Sequence, residues 1–124
     1  MAVKLFILFT RKPGLSHQQF RIHYETVYMP LLYDELGEFF PDAHKRSYIG
    51  DDLDDSIEPS YDAISELVFD RATYFMYFWY NYHVRDLTGS RVLSDGLEQF
   101  VDTTKMAHYI VMDTVEDVTM PHND

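Results

Sequence analysis

Lys4-Leu-Phe-Ile-Leu-Phe-Thr10 runs into Arg11-Lys-Pro-Gly14 and then into Ser16-His-Gln-Gln-Phe20. The apolar run predicts a strand, Pro13-Gly14 a turn, and Ser16 a helix start. Ser16 can cap free backbone N–H groups, and Gln19, three residues on, can return the bond as a capping box. Beyond it Phe20, Tyr24, Val27 and Leu31 recur at helical spacing. This predicts one stripe facing a core or pocket, with His23 and Tyr28 on its flanks, where a side chain reaches a cavity and still meets water. Pro30 is expected to kink or end the helix, with Leu31–Leu36 able to add a turn or two.

Working outward, Gly37-Glu-Phe-Phe-Pro41 closes this element and residues 43–50 read as a second strand. Its Lys45 and Arg46 are a basic spot, either guarding a sheet edge or binding a substrate carboxylate. A polar loop, 51–60, ends at Pro59. The third strand, 61–69, alternates: Tyr61, Ala63, Ser65, Leu67 and Phe69 on one face, Asp62, Ile64, Glu66 and Val68 on the other. Asp62 and Glu66, if buried, are acid–base candidates; if not, they belong to a solvent or interface face.

Residues 72–86 read as a helix dense in rings. Phe75, Phe78, Trp79 and Tyr82 form one stripe, Tyr74, Tyr77 and Asn81 another. Two aromatic stripes call for two partner surfaces: the sheet for one, and a loop, ligand or second subunit for the other. Thr88-Gly89-Ser90 breaks the helix, a further helical piece spans 91–100, and a last strand spans 105–113, with His108, Ile110 and Met112 on one face.

Strand, helix, strand, strand, helix, strand is a ferredoxin-like split β-α-β order, an α+β fold with a four-stranded antiparallel sheet. Helices cover one sheet face only. The other face calls for a second copy, and two such sheets make a dimeric α+β barrel.

The chain has 124 residues, which fits one domain over residues 1–124. Ten Tyr and nine Phe against one Trp are more rings than a small core needs, so some belong to a pocket or subunit interface. The net charge of −11 repels nucleic acid and anionic membranes. The acids of 51–55 with Glu58, and those of the 113–124 tail, read as solvated segments; they lack the Gly turn and terminal Glu of a calcium loop. Having no cysteine, the chain can form neither disulfides nor thiolate sites. The start is not a signal peptide and no run is long enough to span a bilayer, so a soluble, cytoplasmic protein is expected.

No nucleophile elbow, phosphate loop or dinucleotide fingerprint is present. No His spacing specifies a metal site, so neither metal nor cofactor is expected. Of the six His, His23 on the first helix and His108 on the last strand are best placed to face a space between helix and sheet. The expected site is a cavity of Phe9, Phe20, Tyr24, Tyr28, Trp79 and Tyr82 with a His or carboxylate at its edge. It suits a flat, hydroxylated aromatic or pre-aromatic molecule: rings stack, phenols bind oxygens, and a His moves a proton. Arg91 could pair with a carboxylate. Each ring taken singly reads as core packing, and for most of them that reading prevails.

Thr10-Arg-Lys-Pro-Gly14, Phe20, Tyr24 and Pro30-Leu31 together resemble the opening of the EthD-like family of dimeric α+β barrel proteins. Tyr61-Asp-Ala-Ile-Ser-Glu-Leu-Val-Phe-Asp70 is similar to its second-half strand and Phe100-Val-Asp102 to its late loop. The chain departs at Tyr28, where the family usually carries a His; a phenol is a poorer base at neutral pH. The resemblance implies a homodimer and a cofactor-free enzyme of aromatic polyketide tailoring, a cyclase, dehydratase or decarboxylase. Other relatives isomerise lactones or have no settled activity, leaving a small-aromatic binding or accessory protein as the competing class. Cyclases on a related barrel use a His and a Tyr. The candidate catalytic residues are thus His23, Tyr28, His108 and Asp62, and the substrate-binding ones Phe9, Phe20, Tyr24, Trp79, Tyr82 and Arg91.

Overall fold

A computed structural model describes residues 2–49, 60–80, 82 and 91–112. Four strands, β1 (Val3–Phe9), β2 (Ala43–Tyr48), β3 (Ala63–Phe69) and β4 (Ala107–Val111), form one sheet in the order β2-β3-β1-β4, with every neighbour antiparallel. Around it lie α1 (His17–His23), α2 (Met29–Leu36), α3 (Ala72–Trp79) and α4 (Val92–Glu98). This is the ferredoxin-like architecture that the element order predicts.

The opening stretch folds as its chemistry dictates. Leu15 N–H donates to Lys12 O across the turn, where Gly14 takes φ 94°, a value that disfavours any side chain. Ser16 Oγ accepts from Gln19 N at 3.1 Å and Gln19 Oε1 accepts from Ser16 N at 2.8 Å, completing the capping box.

The helix stripe departs from expectation. Phe20, Tyr24, Tyr28, Leu32 and Leu36 are buried, whereas Val27 is 52% exposed. A four-residue spacing overshoots a 3.6-residue turn by about 40° each time, so it would carry the stripe off the core. The chain corrects this with a π-helical turn, Tyr24–Tyr28, in which Met29 N–H bonds to Tyr24 O. That wider turn restores the face and carries the helix past Pro30, the second residue of α2, instead of ending there. Tyr28 therefore lies in the core, not on a flank.

On the helix side of the sheet Val3, Leu5, Ile7 and Phe9 of β1 and Ala63, Ser65, Leu67 and Phe69 of β3 are buried. They carry the core against the helices, each large side chain contributing about 1.5–3 kcal/mol. The second stripe of α3 meets a loop: Tyr77 stacks on Phe39 at 4.0 Å and Tyr74 meets its edge at 4.9 Å. The opposite sheet face presents Phe6, Leu8, Ile64, Val68 and Tyr109, with none of the described helices over it.

Three local expectations change. Residues 103–105 form a 3-10 turn, so β4 begins at Ala107, and Ile110 and Met112 are about half exposed while His108 packs inward. Asp62 leaves the face of Glu66, because it precedes β3 and is drawn to Arg11. Arg46 points under the first helix to Glu25, away from any edge role. The acidic run 51–55 with Glu58, the helical reading for 83–86, the break at 88–90 and the 113–124 tail lie outside the described residues.

Candidate active site at the His108 cavity

Antiparallel pairing sets His108 of β4 opposite Ile7 of β1, so its ring shares the helix-facing side. Two rings from the α3 end hold it. Trp79 meets the imidazole at 5.6 Å and 83°, Tyr82 at 5.7 Å and 75°, and Tyr82 is itself stacked on buried Phe78 at 5.2 Å. Such edge-to-face contacts fix an aromatic ring's orientation. In front lies a cavity of about 270 Å³ lined by Tyr82, Arg91, Ser94, Leu97, Glu98, Thr103, Met106 and His108.

The structure thus gathers Trp79, Tyr82, Arg91 and His108 in one place. Tyr82 is 4% exposed, and burial raises its phenol pKa well above the ordinary value. It stays protonated at neutral pH, and its hydroxyl oxygen, like His108 Nε2, is enclosed by the surrounding side chains. Arg91 is half exposed, with its Nε 3.8 Å from Asp95 Oδ1 one turn along. Ser94, Glu98, Thr103 and Met106 were not anticipated. Arg91, Ser94 and Glu98 do recur at three- and four-residue intervals, which is the signal that marks them as one face.

The other predicted residues lie elsewhere. Phe9, Phe20, Tyr24 and Tyr28 do not line a cavity. They close around Phe100, with Phe9–Tyr24 at 5.4 Å, Phe20–Phe100 at 5.5 Å and Tyr28–Phe100 at 5.3 Å, and all are at most 2% exposed. Tyr28 donates to Leu93 O at 3.3 Å, and burial raises its pKa far above the ordinary value, which removes it as a base. His23 stacks on Phe100 at 4.8 Å in a separate groove of Leu15, Gln19, Ile22, Thr26 and Val27, and desolvation lowers its pKa.

Asp62 is buried among partners. Oδ1 accepts from Arg11 Nη1 at 3.0 Å and lies 2.8 Å from His17 Nδ1, and Oδ2 accepts from Arg11 N at 2.8 Å. These contacts fasten the Arg11 turn and the start of the first helix to β3, at the edge of a second cavity lined also by Thr10, Asp102 and Lys105. A further polar network escaped the sequence reading. Tyr24 Oη meets Ser65 Oγ at 2.7 Å and His44 Nε2 at 3.3 Å, while Glu25 receives Arg46 Nη2 at 2.8 Å and the Tyr48 hydroxyl. The Arg46 bonds, outweighing partial desolvation, lower the Glu25 pKa, and desolvation lowers that of His44 to about 4. Among the described residues, no three His, Asp or Glu side chains converge as metal ligands would, and no helix is long and apolar enough to cross a membrane.

Comparison with known proteins places this geometry. Residues 12–104 match the EthD domain family, well over half of the chain. An ethyl tert-butyl ether D (EthD) family protein from Bacillus halodurans superposes with a TM-score of 0.61 at 18% identity, covering 92% of this chain and 100% of that one. An EthD-like protein from Ralstonia eutropha gives 0.59 at 17% identity, covering 94% and 95%. A dimeric ferredoxin-like protein from an uncultured marine organism gives 0.50 at 15% identity, covering 95% and 98%. Among curated proteins no sequence match was found.

Proposed function

The chain belongs to the EthD domain family, and from that premise we propose that it is a cofactor-free acid–base enzyme acting on a small hydroxylated aromatic or pre-aromatic acid of polyketide type. The observation that carries this is the His108 imidazole, gripped by two rings at the wall of a cavity that also holds a neutral phenol and a guanidinium. His108 moves the proton. The Tyr82 ring walls the cavity beside it, and Arg91 holds a carboxylate. These groups serve proton transfer at a β-keto or β-hydroxy system, ending in loss of water, ring closure or loss of carbon dioxide.

The working unit in this reading is a homodimer. Phe6, Leu8, Ile64, Val68 and Tyr109, interspersed with Lys4, Lys45 and Glu66, form a face that no described helix covers, and a second copy supplies the missing layer. A related fold is described as dimeric in the marine protein.

The test is mass spectrometry of the purified protein incubated with a hydroxylated β-keto acid, against a no-protein control. Accelerated loss of water or carbon dioxide, or an isomer at unchanged mass, is expected. His108→Ala should reduce the rate by about 10²–10⁴, the usual worth of a positioned acid or base. Retention of the acid by the protein without any acceleration would replace the enzyme reading with a binding module.

A further inference from the structure

The Arg91 side of the cavity bears on which bond is broken. Arg91 and Asp95 are half exposed or more and 3.8 Å apart. An exposed pair of that kind is weak, so an incoming carboxylate, able to take two parallel N–H bonds, displaces Asp95 readily. Ser94, one turn along the same helix, offers a further hydroxyl, while His108 and Tyr82 reach the lining from β4 and from beyond α3. The carboxylate and the reacting centre are therefore held by different groups.

Such a clamp works against decarboxylation. As the C–C bond to a carboxylate breaks, its charge moves into the ketone oxygen, so a guanidinium on the carboxylate stabilises the starting acid more than the transition state. Binding that is stronger in the ground state slows a step. In dehydration or aldol ring closure the carboxylate keeps its charge throughout, and the same clamp orients the molecule without opposing the reaction. Size agrees with one ring: an apolar cavity of about 150 Å³ takes a benzene ring, so the roughly 270 Å³ between these walls accommodates one substituted ring.

We infer that the His108 cavity takes a single-ring, or single-ring-forming, oxo or hydroxy acid, and that its carboxylate is anchored by Arg91 and retained in the product. This rests on the reading above and narrows it. In the dehydration form, His108 as base takes a proton from the carbon beside the ketone. The electron pair forms the new C=C bond as the C–O bond to the β-hydroxyl breaks, and the His108 imidazolium returns its proton to that hydroxyl, which leaves as water.

Two measurements test it. The first is calorimetric binding of 2,4-dihydroxybenzoate, resorcinol and 1,4-dihydroxy-2-naphthoate to wild type, Arg91→Ala and Arg91→Lys. Dihydroxybenzoate should bind roughly ten- to hundredfold more tightly than resorcinol, as a charge-assisted contact allows. That margin should vanish in Arg91→Ala, return in part in Arg91→Lys, and the naphthoate should bind weakly. Equal affinity for resorcinol, tight naphthoate binding or no binding of any probe would overturn the inference. The second is turnover of 3,5,7-trioxooctanoate carrying a ¹³C carboxyl group, which can close one six-membered ring between C2 and C7 with loss of water. Label kept as a free carboxylate on a ring-closed, dehydrated product supports retention; label found in a lactone carbonyl, or accelerated release of labelled carbon dioxide, overturns it while leaving the enzyme reading intact. Carboxylate-dependent binding with no turnover would remove the enzyme reading and keep the anchored acid.

Discussion

Lowering the pH from 7 to 5 should destabilise this protein through one histidine. His44, on β2, is largely buried beside Tyr24 and Phe40, and its pKa falls from 6.5 to about 4, chiefly by desolvation, with Arg46 adding to the effect and Glu25 opposing it. The folded state therefore binds fewer protons than the unfolded chain between those values, and stability falls as pH falls. The loss begins near pH 6.5 and is complete below about pH 4. Over the interval from 7 to 5 it amounts to about 2 kcal/mol, reaching about 3 kcal/mol at pH 4, by linkage of the two pKa values. Glu25, whose lowered pKa acts in the same direction, contributes only a few tenths above pH 5, since an unfolded carboxylate titrates near 4.3. The assay is urea unfolding at pH 7 and pH 5, at fixed protein concentration, of wild type and His44→Phe. The phenyl ring fills the same space, and Tyr24 Oη keeps its 2.7 Å bond to Ser65. The wild type should lose about 2 kcal/mol more than the variant, a midpoint shift of about 1 M urea. An equal loss in both proteins would refute the assignment of a buried neutral imidazole at position 44.

Asp62→Ala should cost about 1–3 kcal/mol, because it removes the buried acceptor shared by Arg11 and His17; an unchanged thermal melt would contradict it. Gly96→Ala should destabilise although alanine favours helices. The new Cβ would stand 2.9 Å from Leu31 Cδ2 and 3.1 Å from the Tyr28 ring, and overpacking of about 1–3 kcal/mol exceeds the propensity gain of about 1 kcal/mol. An unchanged or raised urea midpoint would show that α4 can move aside. Tyr28→Phe should cost about 1 kcal/mol in the same assay, the worth of its bond to Leu93 O, with no change in the fold's circular dichroism.

The sequence by itself determined what rests on near neighbours and on simple period. The Lys12–Leu15 turn, the Ser16–Gln19 capping box and the two-residue alternation of β3 involve residues a few positions apart, so their chemistry is complete in the text of the chain. The order of elements follows, and with it the ferredoxin-like sheet. The match to the EthD family over residues 12–104 agrees with the Thr10-Arg-Lys-Pro-Gly14 opening. Only the tertiary structure decided which rings are core and which line a cavity. Phe100 closes over Phe20, Tyr24 and Tyr28 from some eighty residues away, while Trp79 and Tyr82, equally aromatic in sequence, are left facing His108. The π turn at Tyr24–Tyr28 was hidden for a related reason. A helix of ordinary pitch satisfies the local pattern, and the extra residue per turn is stabilised only by the shared burial of Phe20 and Leu36 on one face. Asp62 with Arg11 is a pair made where β1 and β3 lie side by side, and Glu25 with Arg46 is one made between the first helix and β2. Charge alone marks such residues as candidates, and a partner's distance, which spacing does not encode, makes them anchors.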